Sequence, residues 1–113
     1  MQDTDLDLVK KCYEDKEVTI NSVTYKMLDI TNQQAFDIIG ASQELAATGA
    51  ILNSPAWKKL ESRLFNVFMI DNSMLSKLPR HFEEYRGNYL TFVNYAVAMV
   101  SYPFQSGGLA PIG

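Results

Sequence analysis

Between Phe82 and Val100 apolar side chains return every three or four positions: Phe82, Tyr85, Tyr89, Phe92, Val93, Ala96, Val97 and Val100. On a helix of 3.6 residues per turn that spacing lines a single face. The run from Pro79 to Phe104 is the longest in the chain able to form one helix and bury most of one side. One continuous helix is therefore predicted, opened by Pro79, with Glu83 and Glu84 near the positive end of its dipole. Tyr95, Met99 and Tyr102 belong to another side of it and are expected to be partly exposed if the helix packs on one face only, though a third covering helix could equally bury them. The remaining elements have to supply a cover for the main stripe.

The period changes ahead of this helix. Val18 and Ile20 alternate with Glu17 and Thr19, and Val23, Tyr25 and Met27 alternate with Thr24 and Lys26, around a possible turn at Asn21-Ser22. That pattern predicts a β-hairpin. Asn tolerates positive φ, but Ser is a weaker partner than Gly, so the turn type stays open. Two strands are barely stable alone, so the apolar face must lie on a helix or pair with strands of another chain. Before the hairpin, Leu6, Val9 and Tyr13, with Leu8 and Cys12 on an adjacent stripe, fit a short helix starting near Thr4. Its early aspartates and later Lys10 and Lys11 complement the helix dipole.

Two further helices carry start signals. Thr31 to Gln34 reads as a capping box, in which the Thr hydroxyl and the Gln side chain satisfy each other's backbone N–H groups. Ala35, Ile38, Ile39, Ser42, Leu45 and Ala46 would form its buried side and Gly49 its stop. Gly40 and Ala41 either admit a close neighbour or simply weaken the helix. Ser54-Pro55 combines a hydroxyl N-cap with proline at the first helical position. The helix it starts is predicted to run to about Ile70, on a stripe of Trp57, Leu60, Leu64, Val67 and Phe68, until Asp71-Asn72 breaks it. Ser73 to Lys77 reads as a helical turn or a loop carrying Met74, Leu75 and Leu78 inward, and Gln105–Gly113, rich in glycine, is expected to be a flexible tail.

The fold class is then mainly α: a small bundle of about four helices with one N-terminal β-hairpin at about 17–30. Residues 1–104 form a single domain. A net charge of −3 with scattered basic residues argues against nucleic acid, which needs a basic face. One cysteine makes no internal disulfide. Neither a leader peptide nor a membrane span is expected, since the apolar run Tyr89–Val100 is short and carries Asn and Tyr; the expected location is cytoplasmic.

Little catalytic chemistry can be assembled. His81 is the only histidine, among Glu83, Glu84 and Arg86 at a helix start, and reads as a polar surface turn. Cys12, on an apolar stripe, reads as an inert thiol. Adjacent Glu83 and Glu84 diverge by about 100° on a helix and do not converge on one substrate. Gly107-Gly108 lacks the strand and helix of a phosphate loop, and Asp71-Asn72-Ser73 lacks the spacing and terminal Glu of a calcium loop. Neither an enzyme, a metal site nor a cofactor is expected. Trp57, Tyr95, Met99 and Tyr102 are the candidate partner-binding residues, because Trp, Tyr and Met are favoured at binding surfaces.

The hairpin Glu17 to Met27, followed at once by Thr31 and a helix and then by helices, resembles the small tail assembly chaperones of long-tailed bacteriophages. The resemblance implies a mainly helical protein that binds the tape-measure protein during tail building, often as a homo-oligomer, in the host cytoplasm. Two other classes fit the same features. One is a structural or adaptor protein of a virion whose hairpin adds strands to a neighbour. The other is a small acidic phage inhibitor of a host defence protein.

Overall fold

The computed structural model describes residues 3–106. In chain order the elements are α1 (Asp3–Asp15), β1 (Glu17–Ile20), β2 (Val23–Met27), α2 (Asn32–Ala47), α3 (Pro55–Phe65), β3 (Phe68–Ile70), β4 (Ser73–Met74), a 3-10 turn (Leu75–Lys77), α4 (His81–Glu84), a second 3-10 turn (Arg86–Asn88) and α5 (Tyr89–Ser106). The fold is mainly α, but its strands are not one hairpin: the four form a single antiparallel sheet in the order β1-β2-β3-β4.

The N-terminal half follows its local signals. Glu17 pairs with Lys26 and Ile20 with Val23, leaving Asn21 and Ser22 as a two-residue turn. Both have positive φ (48° and 70°), the primed turn whose twist matches that of the strands. Thr31 caps α2 through the reciprocal box with Gln34. On that helix Ala35, Ile38, Ala41 and Leu45 are buried, whereas Ala46 faces solvent. Gly40 is exposed, and a Cβ added there would meet nothing within 4 Å. Close approach is therefore not its role, and it weakens α2 by about 1 kcal/mol relative to Ala.

Two expectations are corrected. The helix from Pro55 ends at Phe65 rather than near Ile70, and Phe68–Ile70 is a strand. Lys26 pairs with Met69 and Met27 with Phe68, and the Leu28 N–H donates to the Val67 carbonyl at 2.9 Å. Pairing the open side of β2 outweighs a helical period that continues on paper through Val67 and Phe68, because unpaired buried strand groups are costly. The sheet thus finds its third and fourth strands within the chain.

The second correction concerns the continuous helix Pro79–Phe104, which is broken. Only Tyr89–Ser106 is the long helix, and His81–Glu84 is a separate short one. In one straight helix the backbones of Phe82 and Phe92 would lie about 15 Å apart along the axis; their ring centroids are 5.4 Å apart. The break folds Phe82 back over the core. It also leaves Tyr85, placed on the buried stripe by spacing, 44% exposed.

Around α5 the cover is complete on more than one side. Phe92, Val93, Ala96, Met99 and Val100 are buried together with Tyr25, Ile38, Leu64, Phe68 and Leu75. α1 docks through Tyr13, whose ring lies 5.3 Å from that of Tyr102. Lys16 closes α1 at a φ of 59°, with its ammonium 4.2 Å above the Tyr13 ring. Of the expected tail, Gln105 and Ser106 continue α5 and the rest lies outside the described residues.

Candidate functional site

Ser54 accepts from the Trp57 backbone N–H at 3.2 Å, and Pro55 stands at the first helical position, so the first turn of α3 holds Trp57 in a defined place. From there Trp57, Lys58, Glu61 and Phe65 form one wall of an open cleft of about 630 Å³. Leu78, Pro79, Phe82, Glu83, Arg86 and Tyr89 form the facing wall, and Leu52 and Asn53 the end. The break before Tyr89 creates that second wall: a continuous helix would carry Leu78 and Pro79 away from α3.

The polar groups of the floor satisfy one another. Trp57 Nε1–H donates to the Tyr89 hydroxyl at 2.6 Å, and that hydroxyl donates to a Glu61 carboxylate oxygen. Burial, and then the bond to Glu61, push the Tyr89 phenol up to about 12. It stays protonated at neutral pH and fixes the tilt of the indole, 6.1 Å away between ring centroids. The floor left to a visitor is apolar, with Lys58, Glu83 and Arg86 along the walls. Leu52 (56% exposed) adds to it, and Ile51 (62%) stands beside it in the α2–α3 loop. Exposed large aliphatics beside an aromatic cleft are the composition of a binding surface.

Below this wall lies a polar network centred on buried Asn88. Asn21 Nδ2 donates to Asn88 Oδ1 at 2.7 Å, and Asn88 Nδ2 donates to the Ile20 carbonyl (3.2 Å) and to the Tyr25 hydroxyl (3.1 Å). The Tyr25 hydroxyl also shares a 2.7 Å hydrogen bond with His81 Nε2, in which it is the donor when the imidazole carries its proton on Nδ1 alone. Burial lowers the His81 pKa from 6.5, opposed by nearby Glu84. His81 is thus not the surface turn residue its neighbours suggest: it stacks at 4.7 Å on Tyr85 and ties α4 to the sheet.

A pH dependence follows with a definite sign. A lowered folded-state pKa means that the unfolded chain binds the proton more tightly, so the stabilisation is complete above about 6.5 and is lost as pH falls through the lower folded value. The denaturation midpoint should decline between pH 7 and 5, and His81→Gln should flatten that decline. An identical decline in both proteins would remove His81 as its cause.

Of the four sequence candidates only Trp57 lines the cleft. Met99 is fully buried, against the expectation of exposure, because α1 and the β2–α2 junction cover that side of α5. Tyr102 packs on Tyr13, and Tyr95 is half-buried against the core. Glu61, four residues after Trp57 on α3, is its neighbour by helical spacing alone, whereas Phe82 and Tyr89 lie on other helices and sequence spacing carries no signal for them. Among the described residues no group of three or more His, Cys, Asp or Glu side chains is arranged to hold a metal ion. No helix there is long and apolar enough to cross a membrane. No known protein family, curated protein or solved structure matches the chain.

Proposed function

We propose that the chain is a non-enzymatic binding module that holds an apolar segment of another protein in the Trp57 cleft. The observation that carries this is the engagement of the cleft's polar atoms: Trp57, Tyr89 and Glu61 bond to one another and leave an apolar floor of aromatic rings. Such a surface offers area and shape to a side chain, the means by which helix-in-groove and peptide-binding proteins work. Together with the resemblance of hairpin and following helix, it supports a tail assembly chaperone that covers apolar stripes of the tape-measure protein in the host cytoplasm, acting as a homo-oligomer.

A second reading, an adaptor that adds a strand to a neighbour, draws on the sheet order. β1 is an outer strand whose only strand partner among the described residues is β2.

Light scattering on the chain mixed with an apolar helical segment of a tape-measure protein reads both complex and oligomer. A stable complex is expected, weakened at least about tenfold by Leu52→Asp, since a charge would then face an apolar client. A chain that ignores the segment, or a complex indifferent to Leu52→Asp, would exclude the cleft as the client site.

A further inference from the structure

We infer that the Trp57 cleft releases its occupant on acidification, because a second proton on His81 frees α4, which carries part of one wall, from the sheet. The inference rests on the reading of the cleft as a partner site and adds its regulation.

Little holds α4 in place. It is one turn of four residues with no side-chain cap and no buried residue, too short to persist without its contacts. Phe82 stacks on Phe65 at 5.6 Å and meets Tyr89 at 5.2 Å and Phe92 at 5.4 Å between ring centroids. Among the described residues, the bond between His81 and Tyr25 is the one side-chain hydrogen bond joining α4 to another element. Phe82 and Glu83, the next two residues, line the cleft. Tether and wall therefore share a single turn of backbone.

Only one protonation state of that tether satisfies its buried end. Tyr25 is 0% exposed, and its hydroxyl has two partners: Asn88 Nδ2–H, which donates to it at 3.1 Å, and His81 Nε2. The hydroxyl proton thus has an acceptor only in the Nε2 of an imidazole protonated on Nδ1 alone. Burial pushes the Tyr25 phenol up, so it keeps this proton. A second proton on His81 makes Nε2 a donor. The hydroxyl then faces two donors, and its own hydrogen is stranded out of reach of solvent, an arrangement that buried polar groups avoid.

His81 is half-buried, so an imidazolium that turns out to water relieves both groups. Its ring is flanked at 4.7 Å by Phe82 and at 4.7 Å by Tyr85, so its departure disturbs the wall and not one side chain alone. The titratable groups at the imidazole are the Tyr25 phenol from β2, the Tyr85 phenol stacked on it and the Glu84 carboxylate of α4. Glu84 favours the proton, and burial opposes it more strongly. Arg80 and Glu83, on the same turn, engage each other at 3.9 Å. From α3 it is the uncharged Phe65 that packs on the neighbouring Phe82. The sign follows: the wall is held above about pH 6.5 and released as pH falls through the lower value of folded His81.

His81 is the only histidine and Trp57 the only tryptophan, so switch and cleft are each read by one residue in the full chain. The His81 ring protons, followed by NMR, should titrate with a midpoint below about 6.5, and Trp57 emission should change with the same midpoint while far-UV circular dichroism holds steady. The probe is an apolar helical segment of a tape-measure protein chosen without Asp, Glu or His, so that only the chain titrates. Its affinity should fall at least about fivefold between pH 7.5 and 5, and its saturating presence at pH 7.5 should carry over as a lower His81 midpoint, since coupling is reciprocal. His81→Gln, whose amide oxygen accepts from Tyr25 without titrating, should bind the segment with an affinity independent of pH. Trp57 emission that stays constant while His81 titrates, a change that persists in His81→Gln, or equal affinity at both pH values would overturn the switch and leave the cleft a partner site. No binding at pH 7.5 would overturn both.

Discussion

Phe92→Ala is expected to destabilise the chain by about 3–5 kcal/mol, the range for removing a fully buried aromatic ring. Phe92 is 0% exposed, and its ring centroid lies 4.9 Å from Tyr25, 5.1 Å from Phe68, 5.4 Å from Phe82 and 6.3 Å from Phe65. Those rings come from β2, β3, α3, α4 and α5, so one side chain joins the sheet to three helices. Truncation removes the transfer energy of the ring and leaves a void that close-packed aromatic neighbours fill poorly. Since domains of this size are stable by roughly 5–15 kcal/mol, the variant should be near the edge of folding. Urea denaturation followed by circular dichroism measures the loss, with Val97→Ala, at a half-buried site on the same helix, as the milder comparison. A loss under about 1 kcal/mol would mean that Phe92 is not the junction of the core.

Asn88→Ala should cost about 2–4 kcal/mol, for a different reason. Asn88 is 2% exposed, and its amide serves three groups at once: the Ile20 carbonyl, the Tyr25 hydroxyl and the Asn21 side chain. Alanine removes little volume but strands buried polar partners, each unsatisfied group costing about 1–3 kcal/mol. Asn88→Asp separates shape from chemistry. It keeps the outline of the side chain but has no N–H to donate to Ile20 or Tyr25, so at neutral pH it should be at least as destabilising as Ala. If Asn88→Asp retained wild-type stability, the donor function assigned to this amide would be wrong.

Both sites bear on how much of the protein was legible in its sequence. The spacing of Phe92, Val93, Ala96 and Val100 identified the core face of α5, and Phe92 lies at its centre. Asn88 offered no such signal. A single Asn in an aromatic stretch has no period, and its importance comes from residues some sixty positions earlier, Ile20 and Tyr25, brought to it by the fold. His81 was misjudged for the same reason: its sequence neighbours are charged, but its spatial neighbour is Tyr25.

Of the four sequence candidates, Trp57 lines the cleft, Tyr95 and Tyr102 are half-buried on α5, and Met99 is buried. Trp57 stands where a Ser-Pro start and an apolar stripe place it, on the rim side of α3. Met99 failed because exposure was inferred from a single covering layer, whereas α1 and the β2–α2 junction cover α5 from another side. The cleft itself requires Leu78, Pro79, Phe82 and Arg86 to turn back toward α3, a geometry set by the break before Tyr89.

By itself, then, the sequence determined what is decided within a few residues: the hairpin and its Asn21-Ser22 turn, the Thr31 and Ser54 caps, and the apolar face of α5. Each rests on side chains acting on backbone groups one turn away or on a period repeated along one element. Only the tertiary structure decided that Phe68–Ile70 is a strand and that the Pro79–Phe104 run is broken. In both places a local helical preference worth a few tenths of a kcal/mol per residue was outweighed by long-range demands. One was the pairing of β2's open edge, the other the closing of Phe82, His81 and Asn88 over Tyr25. The cleft that carries the proposed function is a consequence of the second.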